Sequence, residues 1–180
     1  GDAFAGEPVP TLDMVFEQIG GTVPIDIEIK SPRDRGRAAE LAGLVLDCIE
    51  KHGMAERVFI TSFNPMVLAA VRERAPDIPR GQIIGTFEGS DVSRLTRHAL
   101  QNMWLNRRAG ADIVVGQAAF LTPERMQQYQ AHGYRVMAWV INEEAEVRRM
   151  LDMGVMGIIT DDPAMALRVV AAVAEDAPPE

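Results

Sequence analysis

An incomplete (β/α)₈ barrel of the TIM type, with about six parallel strands and alternating helices, is the fold this sequence predicts. Three observations carry the prediction. Short apolar runs rich in β-branched residues alternate with longer segments of helical apolar spacing, about six times along the chain. No Asn-Gly or Asp-Gly pair joins two such runs, so hairpins are not signalled and the strands must be parallel, linked by right-handed crossovers. Polar or small residues close nearly every run, at Lys30, Ser62, Gly85, Gly116, Asn142, Thr160 and Asp161, which is what a barrel mouth built from successive strand ends requires. A doubly wound open sheet competes, but no G-x-G-x-x-G or P-loop pattern follows any strand.

The elements follow in order. Ile25 to Lys30 reads IDIEIK, three isoleucines alternating with Asp26, Glu28 and Lys30. In a barrel the isoleucines pack outward under helices, and Glu28 and Lys30 point into the lumen near the mouth. A helix is expected from Arg33 to Lys51, with Ala38, Leu41, Ala42, Val45, Leu46 and Ile49 on one face and a stop at His52-Gly53. Val58 to Thr61 is a strand, and Asn64-Pro65 opens a helix as N-cap and first residue. Gln82 to Gly85 is a short strand, followed by a long helical region from Asp91 or Ser93 to about Ala109. Asp112 to Val115 is a strand closed by Gly116, and Thr122-Pro123-Glu124 caps a helix ending at His132-Gly133. Tyr134 to Ile141 is a strand, Glu143 to Met153 a helix, Gly157 to Thr160 the last strand, and Asp162-Pro163 starts the terminal helix. The 180 residues read as one domain with a frayed tail over 175–180.

Composition narrows the function classes. The chain is 47% hydrophobic and carries a net charge of −8, with no long basic run, so a nucleic-acid partner is disfavoured. No apolar stretch is long enough to cross a bilayer. There is no signal-peptide pattern, and the cytoplasm is the favoured compartment; the loop-like, glycine-led start reads as lacking upstream sequence. Cys48 is the only cysteine and lies on the apolar stripe of a helix, a packing thiol rather than a nucleophile.

Five motifs then stand in order: IDIEIK, ITSFNP from Ile60 to Pro65, DIVVG ending at Gly116, AWVIN from Ala138 to Asn142, and GIITDDP from Gly157 to Pro163. Together with the opening FAGEPVPTL, they resemble the glycerophosphodiester phosphodiesterase family from roughly Phe4 to Ala171, as strands three to eight of its barrel. The chain departs from the family pattern at Met156, where an acidic residue is usual, and at Val140, where Thr is common.

The resemblance implies hydrolysis of a small-molecule glycerophosphodiester to an alcohol and glycerol 3-phosphate, part of lipid metabolism, with a divalent cation, Mg²⁺ or Ca²⁺, at the mouth. It assigns Glu28 as a metal ligand, Lys30 as a phosphate contact and Trp139 as a wall beside the glycerol. The family's two catalytic histidines belong near the first two strands and have no match here, so the chain alone is expected to be inactive. His52 and His132 read as helix-end residues and His98 as a helix surface or packing residue. The residues themselves leave other readings open. Glu28 and Lys30 could form a lumen ion pair, Trp139 a core aromatic, and Asn64, Asp161 and Asp162 helix caps. Two further functions stand beside the diesterase: a non-catalytic phosphate-ligand module that assembles as a homo-oligomer through open barrel edges, and another phosphate-handling barrel enzyme using Lys30 as base or Schiff-base amine.

Overall fold

The computed structural model describes residues 5–30 and 35–175. The first four residues, the predicted start of the second helix at Arg33 and the tail beyond Glu175 lie outside them. Six strands, β1 (Ile25–Glu28), β2 (Val58–Ser62), β3 (Arg80–Ile84), β4 (Ile113–Gln117), β5 (Arg135–Trp139) and β6 (Gly157–Ile158), pair in sequence order, all parallel. They form a curled half-barrel, the incomplete (β/α)₈ architecture that the alternation predicts. The helices are α1 (Leu12–Ile19), α2 (Arg35–Lys51), α3 (Pro65–Arg74), α4 (Arg94–Gln101), α5 (Asn106–Ala109), α6 (Pro123–Ala131), α7 (Glu144–Asp152) and α8 (Pro163–Glu175).

Register decides which face of each strand is which. Asp26 stands opposite Phe59 and Glu28 opposite Thr61; Thr61 stands opposite Gly81, Ile83 opposite Val115, and Gln117 opposite Trp139. Because side chains alternate, these residues share the concave face. Ile83, Ile113 and Val115, with Phe59, Met137, Trp139 and Ile159 against them, form a small apolar layer there. The opposite parity, including Ile60, Ile84, Val114 and Ala138, packs under the helices in the main core with Val67, Leu68, Val71 and Met150.

Local chemistry explains the helix starts. Asn64, Ser93 and Thr122 each accept a backbone N–H of the first turn, and Pro65 and Pro123 open α3 and α6. At the last helix, Asp162 Oδ1 accepts the Met165 N–H at 2.9 Å.

One element was not foreseen, and two expectations need correction. Behind the loop-like opening, Thr11 caps α1, whose Phe16 is buried. The long helical region to Ala109 breaks in two. The Asn102 side chain takes the His98 carbonyl at 2.8 Å, and Met103 turns into the left-handed region at φ 57°, so α4 stops and α5 starts afresh. The last strand pairs over two residues rather than four.

Below the strands, Arg80 is 6% exposed, and its guanidinium donates to the carbonyls of Gly110 (3.0 Å), Pro76 (2.8 Å) and Ile78 (2.5 Å). It ties the turns that feed β3 and β4 together.

Candidate active site

The C-terminal ends of the six strands define the mouth. At its β1 end, Lys30 Nζ lies 3.6 Å from Glu28 Oε2, with the two side chains 81% and 33% exposed. An ion pair so exposed contributes little to stability, so it leaves both groups available to a ligand.

One turn of the alternation deeper, Asp26 Oδ1 accepts the Thr61 hydroxyl at 2.8 Å. Desolvation among the lumen side chains pushes the Asp26 carboxyl up to about 6; the Thr61 bond pulls the other way, and the Glu28 charge adds to the rise. The residue as a whole is exposed to solvent, which screens much of this effect. A raised folded-state value means that Asp26 favours the fold below its unfolded value near 3.8, and that this contribution fades as pH rises through about 6. Asp26→Asn, which can still accept the Thr61 hydroxyl, is expected to raise stability by about 1 kcal/mol at neutral pH and to change nothing at the acid end. Urea melts of both forms across that range check this; an equal shift at all pH values would refute it.

Across the mouth, Trp139 donates its indole N–H to the Val115 carbonyl at 3.0 Å, which fixes the ring. Phe63, from the end of β2, stands edge-on to Trp139 with centroids 5.8 Å apart, and Phe87 stands edge-on to Phe63 at 6.0 Å. Trp139 also lines a cleft of about 470 Å³ with Gln117, Ala118, Val140 and Arg149. Gln117 Oε1 accepts the Thr86 N–H at 2.9 Å, and a Cβ on Gly85 would meet that oxygen at 2.7 Å, so a larger residue there would push the Gln117 amide off Thr86. Asn142 Oδ1 accepts from the Asp161 N–H (2.9 Å) and the Thr160 hydroxyl (3.1 Å), while its Nδ2 donates to Asp161 Oδ2 (2.8 Å).

Glu28 and Lys30 are thus neighbours, and Trp139 stands four strands away in the sheet order. Sequence reasoning passed over Asp26 and Phe87. Asp26 was legible in the same alternation that singled out Glu28; Phe87, in a loop at φ 55°, carried no signal.

The three histidines are on or beside the outer helices. His52 bonds Asp13 at 2.8 Å, His98 stands edge-on to Trp104 with centroids 4.9 Å apart, and His132 bonds the Gln128 carbonyl at 2.7 Å. Among the described residues, one trio, Asp13, Cys48 and His52, has metal-ligand spacing. It lies where α2 runs out ahead of β2, at the end of the sheet opposite the mouth. Lys51 and His52 already hold Asp13, which brings its carboxyl down to about 2, and burial pushes the Cys48 thiol up. A protonated thiol and a carboxylate already paired with an ammonium make a poor resting site for a cation.

Comparison with known proteins accords with this arrangement. The glycerophosphoryl diester phosphodiesterase family profile matches residues 1–165. A glycerophosphodiester phosphodiesterase of Caldanaerobacter subterraneus subsp. tengcongensis is 30% identical over 174 residues, covering 94% of this chain and 65% of its own length. One from Bacillus subtilis is 29% identical over 170 residues, covering 92% and 55%. The structure of an Oleispira antarctica phosphodiesterase in complex with the product sn-glycerol-3-phosphate superposes with a TM-score of 0.73 at 20% identity, over 90% of this chain and 61% of that one, and shares the fold. The chain therefore spans between about half and two thirds of these relatives' lengths. By the family match along most of its length and by the half-barrel that carries it, the chain belongs to the glycerophosphoryl diester phosphodiesterase family.

Proposed function

We propose that these residues supply strands three to eight, as a single domain, of a barrel that hydrolyses glycerophosphodiesters to an alcohol and glycerol 3-phosphate. The observation that carries the reading is the Glu28–Lys30 pair, 3.6 Å apart at the mouth end of β1 in a chain of this family. Lys30 sets an ammonium against the phosphate oxygens, where it offsets the charge that builds during displacement. Trp139, its ring fixed by the Val115 carbonyl, offers an apolar wall to the glycerol carbons.

Glu28 is an oxygen donor with no thiolate or imidazole beside it in the pairing described, which suits a hard cation such as Mg²⁺ or Ca²⁺ rather than a softer metal. That cation, when bound, neutralises phosphate charge and polarises the ester. One carboxylate does not hold it against hydration, and proton transfer to the leaving alkoxide needs a positioned acid. In this reading both come from two further strands outside the 180 residues, and the isolated chain is inactive. The six strands among the described residues also leave the ring short of closure, which fits the need for two more.

The test is release of glycerol 3-phosphate from glycerophosphocholine with Mg²⁺ or Ca²⁺ present. The isolated chain is expected to give none. The same chain fused behind the first two strands of the Bacillus subtilis relative is expected to turn over and to lose activity on chelation. Turnover that survives chelation would rule out the metal role, and turnover by the isolated chain would rule out the missing-strand reading.

A further inference from the structure

The surface formed by α4, the turn after it and α5 stands apart from the rest of the molecule. Between Asp91 and Asp112 the sequence holds four arginines and no acidic residue, in a chain whose net charge is −8; Arg94, Arg107 and Arg108 are exposed, whereas Arg97 turns inward and donates to the Phe87 carbonyl at 3.4 Å. The same stretch exposes large apolar groups: Leu95 is 74% exposed, Trp104 58% and Leu105 43%. Leu95 and His98 are three apart on α4 and so share a face, and His98 holds the Trp104 ring edge-on. Met103 adopts φ 57° while only 7% exposed, so the turn buries Met103 and presents Trp104 and Leu105 outward. Trp104, Leu105, Arg107 and Arg108 line one shallow hollow of about 400 Å³.

We propose that this face docks on the surface of an anionic phospholipid bilayer. Interleaved arginine and exposed Trp and Leu are what such an interface selects: the cations meet phosphate headgroups, the indole settles at headgroup depth and the leucines enter the acyl boundary. A nucleic acid would use the arginines but leave Leu95, Trp104 and Leu105 in water, and a second copy facing this patch symmetrically would oppose like charge. A larger cleft, about 650 Å³ and lined by Phe63, Val92, Leu100, Leu105 and Arg108, with the acidic Asp91 also on its wall, continues from the hollow through the shared Leu105 and Arg108. It reaches Phe63, which abuts Trp139 at the mouth, whereas α5 leads into the start of β4 at the opposite end of the sheet, so docking takes place away from the mouth. Docking does not rest on the diesterase reading.

Sedimentation with vesicles of phosphatidylcholine, alone or mixed with phosphatidylglycerol, tests the proposal without any turnover. The chain is expected to pellet with the mixed vesicles, to be released by added salt and to show a blue shift of tryptophan emission. Each arginine near the surface accounts for about a fivefold change in partitioning, so Arg107→Gln with Arg108→Gln should weaken binding by about 25-fold. Trp104→Ala should weaken it by about tenfold and abolish the blue shift. These side chains are exposed, so unchanged far-ultraviolet circular dichroism is expected in each variant. Failure to pellet with the mixed vesicles overturns the proposal. So does binding to duplex DNA as tight as that to vesicles and indifferent to Trp104→Ala. A dimer in light scattering that dissociates on Trp104→Ala and leaves vesicles unbound overturns it as well.

Discussion

Glu28→Gln, placed in the chain completed by two preceding strands, is expected to lower kcat/KM for glycerophosphodiester hydrolysis by at least about a hundredfold. The substitution keeps shape and removes only the charge that a divalent cation needs. The fold should not register the change. The Glu28 side chain is a third exposed and its ion pair with Lys30 is solvated, while the β1 backbone stays paired with β2 from Ile25 to Glu28. Loss of a ligand acts on charge stabilisation in the transition state, so kcat should fall and the cation concentration for half-activity should rise. Lys30→Gln should instead raise KM by about tenfold with a smaller effect on kcat, as the loss of one exposed contact to the substrate's phosphate. Steady-state kinetics across a cation titration separates the two. If Glu28→Gln left kcat/KM within a factor of two of the parent, the carboxylate would have no part in holding the cation.

Arg80→Leu is expected to cost about 3 kcal/mol of stability, through a different kind of loss. Arg80 is buried, and burial pulls its guanidinium below the usual arginine value, yet three carbonyls converge on it. Leucine fills much of the volume but strands the Gly110, Pro76 and Ile78 oxygens in a place water does not reach well. In urea the midpoint should drop by roughly 1.5 M with an unchanged slope. Arg80→Lys, which offers a point charge in place of a fork, should recover only part of the difference. A midpoint shift below about 0.3 M for the leucine variant would mean that relaxed turns or water satisfy those carbonyls.

The strand pattern was legible in two ways: IDIEIK shows by its alternation the parity that the register confirms, while IVV announced a strand by β-branching alone, because both of its faces are buried. The helix boundaries were legible wherever a cap side chain and a proline coincide, as at Asn64-Pro65 and Thr122-Pro123. The break after Gln101 was not, because it depends on Asn102 turning back to the His98 carbonyl and on a methionine held at positive φ, a tertiary override of favourable local propensity. α1 could have been read: Leu12, Val15, Phe16 and Ile19 recur at helical spacing behind Thr11, and the loop-like residues ahead of them obscured it. Of the mouth, the sequence pointed to Glu28, Lys30 and Trp139 but not to the stack of Phe63 and Phe87, because contact between side chains so far apart in sequence exists only once the sheet has curled.

The hydrogen bonds around Asn142 change how the polar rim is valued. β6 pairs with β5 over only two residues, backbone bonds through Ile159 and Ile141 carry the ladder a little further, and beyond them one amide side chain continues it, gripping Thr160 and both the backbone and carboxylate of Asp161. That side of the rim is a hem. Its polar groups are spent on one another, so the chemical freedom of the half-ring gathers at the other end, where Glu28 and Lys30 hold each other only loosely.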